Sequence, residues 1–400
     1  MLTFPTPARM AIKVNQSASR MIRKKHPWIF DRAITKQSKA GKSGDLAIIY
    51  DQKTNKLIAI GLYDPDSPIR IKLLHFGGSA SIDAQWFKAK IEAAYAKRQS
   101  LFATDTNSYR LIYGENDGLP ALVADVYAEV MVLKLYAAIW LPYLPTLLPL
   151  LQAISQVKSI VLRLSRNLQN HTHQLQDGQL LYGNLEQADV LFKEHGLLFT
   201  ANVIKGHKTG YFLDHRHNRK QVGTLVKNKT VLDVFAYAGG FSVHALAGGA
   251  KAVTSLDISA KALEMAKRNV HLNHLAAKHE ILVADAFEAM ERLGRAGKTF
   301  DLIIVDPPAF AKRATEVERA LKSYARLTRL AIPLVAKHGV LLMASCSSRV
   351  TADAFFEVVL QHLSSSNRRF QELARTFHDI DHPIGFPEGA YLKSIYLKLY

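Results

Sequence analysis

The stretch that decides the fold is KTVLDVFAYAGGFSVHALAGGA, residues 229–250. Its first half holds a short apolar run, Val231 to Phe235, of the length and β-branched content expected for a strand buried on both faces. Gly239 and Gly240 then punctuate a tight turn, and a helix is predicted to start at Phe241 or Ser242. Glycines at such a turn let backbone approach a ligand, and the helix start presents free N–H groups. The spacing is not G-x-G-x-x-G, so a dinucleotide-pyrophosphate loop is excluded. Taken alone, the loop reads equally well as a structural turn.

The residues that follow decide between those readings. AVTSLDIS is a second strand ending at Asp257, 17 residues beyond Gly240, where a carboxylate can accept bonds from two ribose hydroxyls. A helix, SAKALEMAKRNVHLN, leads to a third strand, HEILVADAF, ending at Asp285. The fourth, TFDLIIVDPPAF, ends at Asp306-Pro307-Pro308, and the fifth, HGVLLMASCSS, ends at Cys346. Alternating strands and helices predict an α/β fold with a parallel, doubly wound, Rossmann-like sheet. In such a sheet the carboxyl ends share one rim where ligands bind, and each strand here puts a polar residue on it.

Upstream the character differs. Of the chain's net +18, residues 1–80 carry +9, from 14 Lys/Arg against 5 Asp/Glu. Short strands, DLAIIYD, KLIAIGLYD and SPIRIKLLHFG, predict a small β-barrel, preceded by the basic cluster SRMIRKKHPWIFDRAI beside Trp28 and Phe30. That excess points to a polyanion, nucleic acid first; the competing reading is a solvated surface with Trp28 in the core. Residues 81–195 read as a middle α+β block. It opens with an amphipathic helix from Ser81 to about Ala103, whose stripe is Ile82, Phe87, Ile91, Ala94 and Tyr95. Residues 196–400 are expected to form a third block, that of the alternating strands and helices.

The run Leu135–Val157 has no charge over 23 residues, enough to span a bilayer, but Pro142, Pro145 and Pro149 interrupt it. A strand followed by a proline-started helix accounts for it, and no membrane partner is expected. No apolar signal segment opens MLTFPTPARMAIKVNQ, so a cytoplasmic location is the expectation. The single cysteine, Cys346, excludes an intrachain disulfide and a cysteine zinc site. His207, His215 and His217 lack partners at metal-site spacing and read as RNA-facing or packing residues; no metal is expected.

VLDVFAYAGGFS, SLDIS, DAF and DPPAF resemble the ordered motifs of class I S-adenosylmethionine-dependent methyltransferases. HKTGYFLDHRHNR (207–219) resembles the segment that introduces this domain in bacterial large-subunit ribosomal-RNA methyltransferases carrying a PUA domain. HPWIF, GENDGLPALVADVY and the closing HPIGFPEGAYLKSIYLKLY extend the resemblance over nearly the whole chain, and SCS at Cys346 is similar to the cytosine carbon-5 subgroup. The resemblance implies S-adenosylmethionine as cofactor and 23S ribosomal RNA as partner. It implies cofactor contacts from Phe235, Ala236, Tyr237, Gly239, Gly240, Phe241 and Ser242 in the first loop. Further contacts are implied from Asp257, Ile258 and Ser259, from Asp285, Ala286 and Phe287, and from Asp306. Lys208, Tyr211 and Arg216, with Asp214, are implied to close over its methionine end. Ala238 stands where Thr is more frequent and His215 where Gln is common; neither departure is expected to touch a residue on which the reading depends. The oligomeric state stays open, a homodimer included.

Chemistry supports carbon-5 methylation beside the resemblance. That carbon is a poor nucleophile until a thiolate adds to carbon-6 and turns the ring into an enamine. One Cys is needed on the rim, and the only Cys is predicted there. Asp306 is the candidate acid at the cytosine edge, its turn fixed by Pro307 and Pro308. Arg349 is a candidate for lowering the thiol pKa. Two other readings stand beside this one: a methyltransferase aimed at a guanine amine or ring nitrogen through D-P-P-x-F, and a catalytically silent RNA-binding assembly factor.

Overall fold

The run read as the first strand is β1, Thr230–Val234. Around it, in a computed structural model that describes residues 6–169, 175–275 and 277–400, lies a seven-stranded sheet. Residues 1–5, which open the N-terminal stretch read for a signal segment, fall outside the described residues. The other strands are β2 (Ala252–Asp257), β3 (Lys278–Val283), β4 (Phe300–Val305), β5 (Val335–Ser345), β6 (Phe370–Thr376) and β7 (Lys393–Leu399). Their order is β3-β2-β1-β4-β5-β7-β6. β1 pairs in parallel with both β2 and β4, so the strand order reverses at β1 and opens a crevice at its carboxyl end. β7 runs antiparallel between β5 and β6, with Lys393 directly opposite Ser345.

The connecting helices are α1 (Gly240–Ala247), α2 (Ala260–Leu272), α3 (Ala286–Arg295), α4 (Val317–Ala331) and α5 (Ala352–Ser364). One core joins strand residues such as Ile303, Leu341 and Leu397 to Tyr324 and Leu327 of α4 and to Phe355 of α5. Side chains on the inner strands β1, β4 and β7 are buried on both faces, as a sheet covered by helices requires, whereas the edge strands β3 and β6 are largely exposed.

This sheet belongs to one of two compact units, built from Glu194–Thr200, Asp214–Asp379 and Glu388–Tyr400. The other comprises Met1–Lys193, Ala201–Leu213 and Ile380–Pro387. Within that unit a six-stranded sheet includes Leu46–Asp51, Leu57–Tyr63 and Ile71–Phe76, the three strands read from sequence. A five-stranded sheet follows, and the two blocks share a core in which Leu46, Leu62 and Leu74 meet Phe87, Ile91 and Trp140.

Two expectations need adjusting here. The helix expected from Ser81 to about Ala103 runs from Ala84 to Ala96 and is followed by a separate turn, Gln99–Phe102. Between them Arg98 is fully buried, forked onto Asp117 at 3.0 and 2.6 Å, and a buried guanidinium with two carboxylate bonds outweighs helical continuity there. The uncharged run after Leu135 contains one helical stretch, Ala138–Ser155, apolar and long enough to cross a membrane. Instead Trp140, Leu144, Leu147 and Leu151 are buried in the core of this unit, and Pro145 stands in the first turn of Leu144–Ser155.

Candidate active site

The carboxyl ends of β1 to β5 carry the expected polar residues side by side along adjacent strands. At β1 the backbone turns sharply: Phe235 and Tyr237 both take positive φ, +66° and +47°, conformations that cost non-glycine residues energy and cluster at functional loops. Gly239 also has φ +73°, and a Cβ there would lie 2.7 Å from the Cβ of Ala266 on α2. The glycine is therefore required by its backbone and by helix packing, a stricter reason than the ligand approach expected of it.

Asp257, at the end of β2, accepts the Tyr237 N–H at 3.0 Å on one oxygen and the Ser259 N–H at 2.8 Å on the other. It thereby fastens the β1 loop to its own, and each oxygen retains a lone pair for a ligand hydroxyl. Next to it Ile258 is 73% exposed, an apolar side chain held out at the rim. Asp285 caps α3, one oxygen accepting the N–H groups of Phe287 and Glu288 at 2.9 and 3.1 Å. Ala286 is buried beneath, and Arg326 lies over the Phe287 ring at 4.7 Å.

Asp306 follows β4. Its Oδ1 is 3.2 Å from Nε2 of His215, whose ring meets Phe241 edge-on. Of the two readings the sequence left for His215, RNA-facing or packing, the buried ring takes the packing one; the expectation that the His-for-Gln departure touches no residue of consequence is corrected, because the ring is buried against Asp306, the candidate acid. Behind it, Asn218 Nδ2 is 3.1 Å from His215 Nδ1, and Thr376 and Tyr396 hold the Asn218 carbonyl oxygen at 2.7 and 3.0 Å. Burial pulls the imidazole pKa down, but the charges of Asp306 and Asp214 outweigh it and the net shift is upward.

Cys346 follows β5, half-buried, its thiol donating to the Pro307 carbonyl at 3.5 Å. Tyr324, whose phenol pKa is pushed up first by burial, is also raised by the charges of Cys346 and Asp306, which places both groups in its electrostatic neighbourhood. Arg349, the cation expected to act on the thiol, is exposed. A second cation, the buried Lys393 of β7, has its amine pKa raised by charge on Cys346.

Four more of the expected cofactor residues have internal partners. Arg216 is fully buried with its guanidinium 3.0 Å from Asp379 and 3.9 Å from Glu194, an internal ion pair. Ser242 is also fully buried, its N–H and hydroxyl both given to Asp233 at 3.1 and 2.6 Å. Lys208 and Tyr211 belong to the other compact unit, where Lys208 lies over Phe212 at 4.4 Å and Tyr211 is buried edge-on to Phe192.

Sequence reasoning missed Asp233, an acid inside a buried apolar strand, which was itself the signal. Burial pushes its carboxyl up to about 7; the Ser242 bonds oppose that shift, and the charges of Asp306 and Asp257 add to it. Its Oδ1 is buried and accepts no hydrogen bond among the described residues. An orphaned carboxyl oxygen, two rim carboxylates with spare lone pairs and an exposed apolar plate fit a ligand that joins an ammonium, a ribose and a base.

A β3-β2-β1-β4-β5-β7-β6 sheet with this rim at β1 to β5 defines a class I methyltransferase. The chain belongs to the S-adenosylmethionine-dependent methyltransferase family, which residues 120–388 match, while residues 12–76 match a PUA-like domain. It is 42% identical to the ribosomal RNA large subunit methyltransferase of Deinococcus radiodurans over 98% of both chains. It is 35% identical to ribosomal RNA large subunit methyltransferase I of Escherichia coli, over 92% of this chain and 94% of that one. A Streptococcus mutans protein proposed to be a SAM-dependent methyltransferase shares the fold at TM-score 0.82 with 20% identity, over 97% and 99% of the two chains. A methyltransferase structure complexed with SAH shares it at 0.83 with 21% identity and the same coverage.

Proposed function

We propose that this enzyme methylates carbon-5 of a cytosine in 23S ribosomal RNA, in the cytoplasm, through a covalent bond between Cys346 and the base. Residues 1–80 form its RNA-binding domain, 81–195 the middle domain and 196–400 the catalytic domain. The observation that carries the reading is the thiol of Cys346 at the Pro307 carbonyl, one residue from Asp306. That bond sets the Cys346 turn against the Asp306-Pro307 turn, which supports reading the two residues as nucleophile and acid. The relatives named for large-subunit ribosomal RNA support the substrate class.

When bound, S-adenosylmethionine supplies an electrophilic methyl group on a sulfonium. Asp257 and Ile258 are suited to hold its ribose and base, and Asp233 Oδ1 its ammonium. Cys346 adds as thiolate to carbon-6, and the electron pair released toward carbon-5 makes that carbon a nucleophile for the methyl group. Asp306 bonds the cytosine edge and protonates the ring as sulfur adds. Loss of the carbon-5 proton to solvent then expels Cys346 as thiolate, the ring proton returns to Asp306, and aromaticity is restored.

Fluorine at carbon-5 leaves no proton to remove, so 5-fluorocytidine RNA with cofactor should give a denaturation-resistant protein–RNA band. Cys346→Ala should give neither band nor methyl transfer while still binding cofactor. Near-normal turnover by Cys346→Ala would exclude the adduct and leave amine- or ring-nitrogen-directed transfer through Asp306.

A further inference from the structure

Lys393 is 2% exposed, at the start of β7, in register opposite Ser345 and therefore beside Cys346 on the neighbouring strand. All three ammonium hydrogens have acceptors: the carbonyls of Ser347, Val350 at 2.6 Å and Tyr391 at 3.1 Å. Two of those carbonyls belong to the turn that carries Cys346. No carboxylate pairs with Lys393 among the described residues, and a buried ammonium without a counter-ion is expensive to keep. Charge on Cys346 raises the Lys393 amine pKa, against the lowering by burial. Other ionisable groups of this neighbourhood come from different elements: the Tyr324 phenol of α4, whose pKa is raised by charge on both Cys346 and Asp306, and Asp306 itself at the end of β4. Asp306 opposes thiolate formation, so a cation is required to offset it.

We propose that Lys393 is the positioning residue of the nucleophile: its buried ammonium clamps the Ser347–Val350 turn and supplies the positive charge against which Cys346 ionises, the thiol proton passing to solvent. This rests on the reading of Cys346 as nucleophile. Burial pushes the Lys393 amine down to about 8, and the thiolate draws it back up, so each group favours the other's charged form.

Because the chain has one cysteine, alkylation of the full-length enzyme by iodoacetamide, followed by intact mass, reports Cys346 alone. The rate–pH profile of the wild type should show an apparent thiol pKa below the ordinary value of about 8.5. In Lys393→Met the midpoint should move up by about one unit or more, slowing alkylation about tenfold at pH 7, and Lys393→Arg should restore it. SAH binding checks that each variant is folded. In methyl transfer, Lys393→Met should lower kcat and move the acidic limb of its pH profile by the same amount. A wild-type midpoint at or above 8.5 overturns the proposal whatever the variants do, as does an unmoved midpoint in folded Lys393→Met. Failure of the nucleophile reading looks different: Cys346→Ala would then keep turnover while the alkylation shift persisted.

Discussion

His215 and Asp306 meet at 3.2 Å, Nε2 to Oδ1, with His215 backed by Asn218 and its ring edge-on to Phe241. Fully enclosed, the imidazole has Asp306 and Asp214 as its nearby negative charges, and the candidate acid of the reaction therefore has a titrating partner. The pH dependence of catalysis should be set in part by this pair.

His215→Gln removes the titration and keeps a polar side chain. The kcat/KM profile of the wild type should show an inflection above the ordinary imidazole value of about 6.5 that His215→Gln lacks. The stability sign follows from the raised folded pKa: the stabilisation is fully present below about 6.5 and is lost as pH rises through the folded value. Urea midpoints should therefore separate wild type from His215→Gln by about 1–3 kcal/mol near pH 6 and by less at pH 9. Equal separation at both values would show that the ring does not charge.

Asp233 has the reverse dependence. An acid raised from about 3.9 unfolded to about 7 in the fold binds its proton in the native state, so stability declines as pH rises through that window. Asp233→Asn keeps an acceptor for Ser242 and removes the buried charge. It should be more stable than wild type at pH 8 by roughly 1–3 kcal/mol, with the gain vanishing near pH 4. Calorimetric melting across pH 4–8 reads this directly; no gain at pH 8 would mean the carboxylate is solvated or paired.

Asp257→Ala loses the acceptors offered to ribose and also releases the N–H groups of Tyr237 and Ser259. Affinity for S-adenosylhomocysteine should fall by roughly 2–4 kcal/mol, about 30- to 1000-fold. Titration calorimetry showing wild-type affinity in a folded variant would remove Asp257 from the site.

On the PUA-like domain, Arg20, Arg23, Lys24, Lys25 and Arg32 are exposed near the exposed ring of Phe30. Trp28 is not part of that face: its indole N–H donates to Glu115 at 3.0 Å and its ring packs edge-on to Phe386. Replacing the five cations with Gln should reduce the slope of log K for RNA against log salt by about 0.7 per lost phosphate contact, leaving cofactor affinity unchanged. An identical slope would move the RNA contact to another face.

Five strand ends were legible from the chain alone, because each buried strand is a short apolar run stopped by a polar residue or a turn, and parallel pairing brings those stops to one rim. Asp257, Asp285, Asp306 and Cys346 were found that way. Periodicity also located the uncharged helix and the basic domain. Partnership was not legible. Lys393 lies 47 residues from Cys346 and His215 lies 91 from Asp306, and a pattern of apolar and polar positions does not say which polar group faces which across such separations. Arg216 and Ser242, polar in segments expected to hold cofactor, were drawn inward by Asp379, Glu194 and Asp233, partners contributed by other segments. Local composition thus determined where the chemistry stands. Burial, which sets both the cost of a charge and the identity of its counter-ion, was decided only when β7 came to lie beside β5 and His215 was enclosed against Asp306.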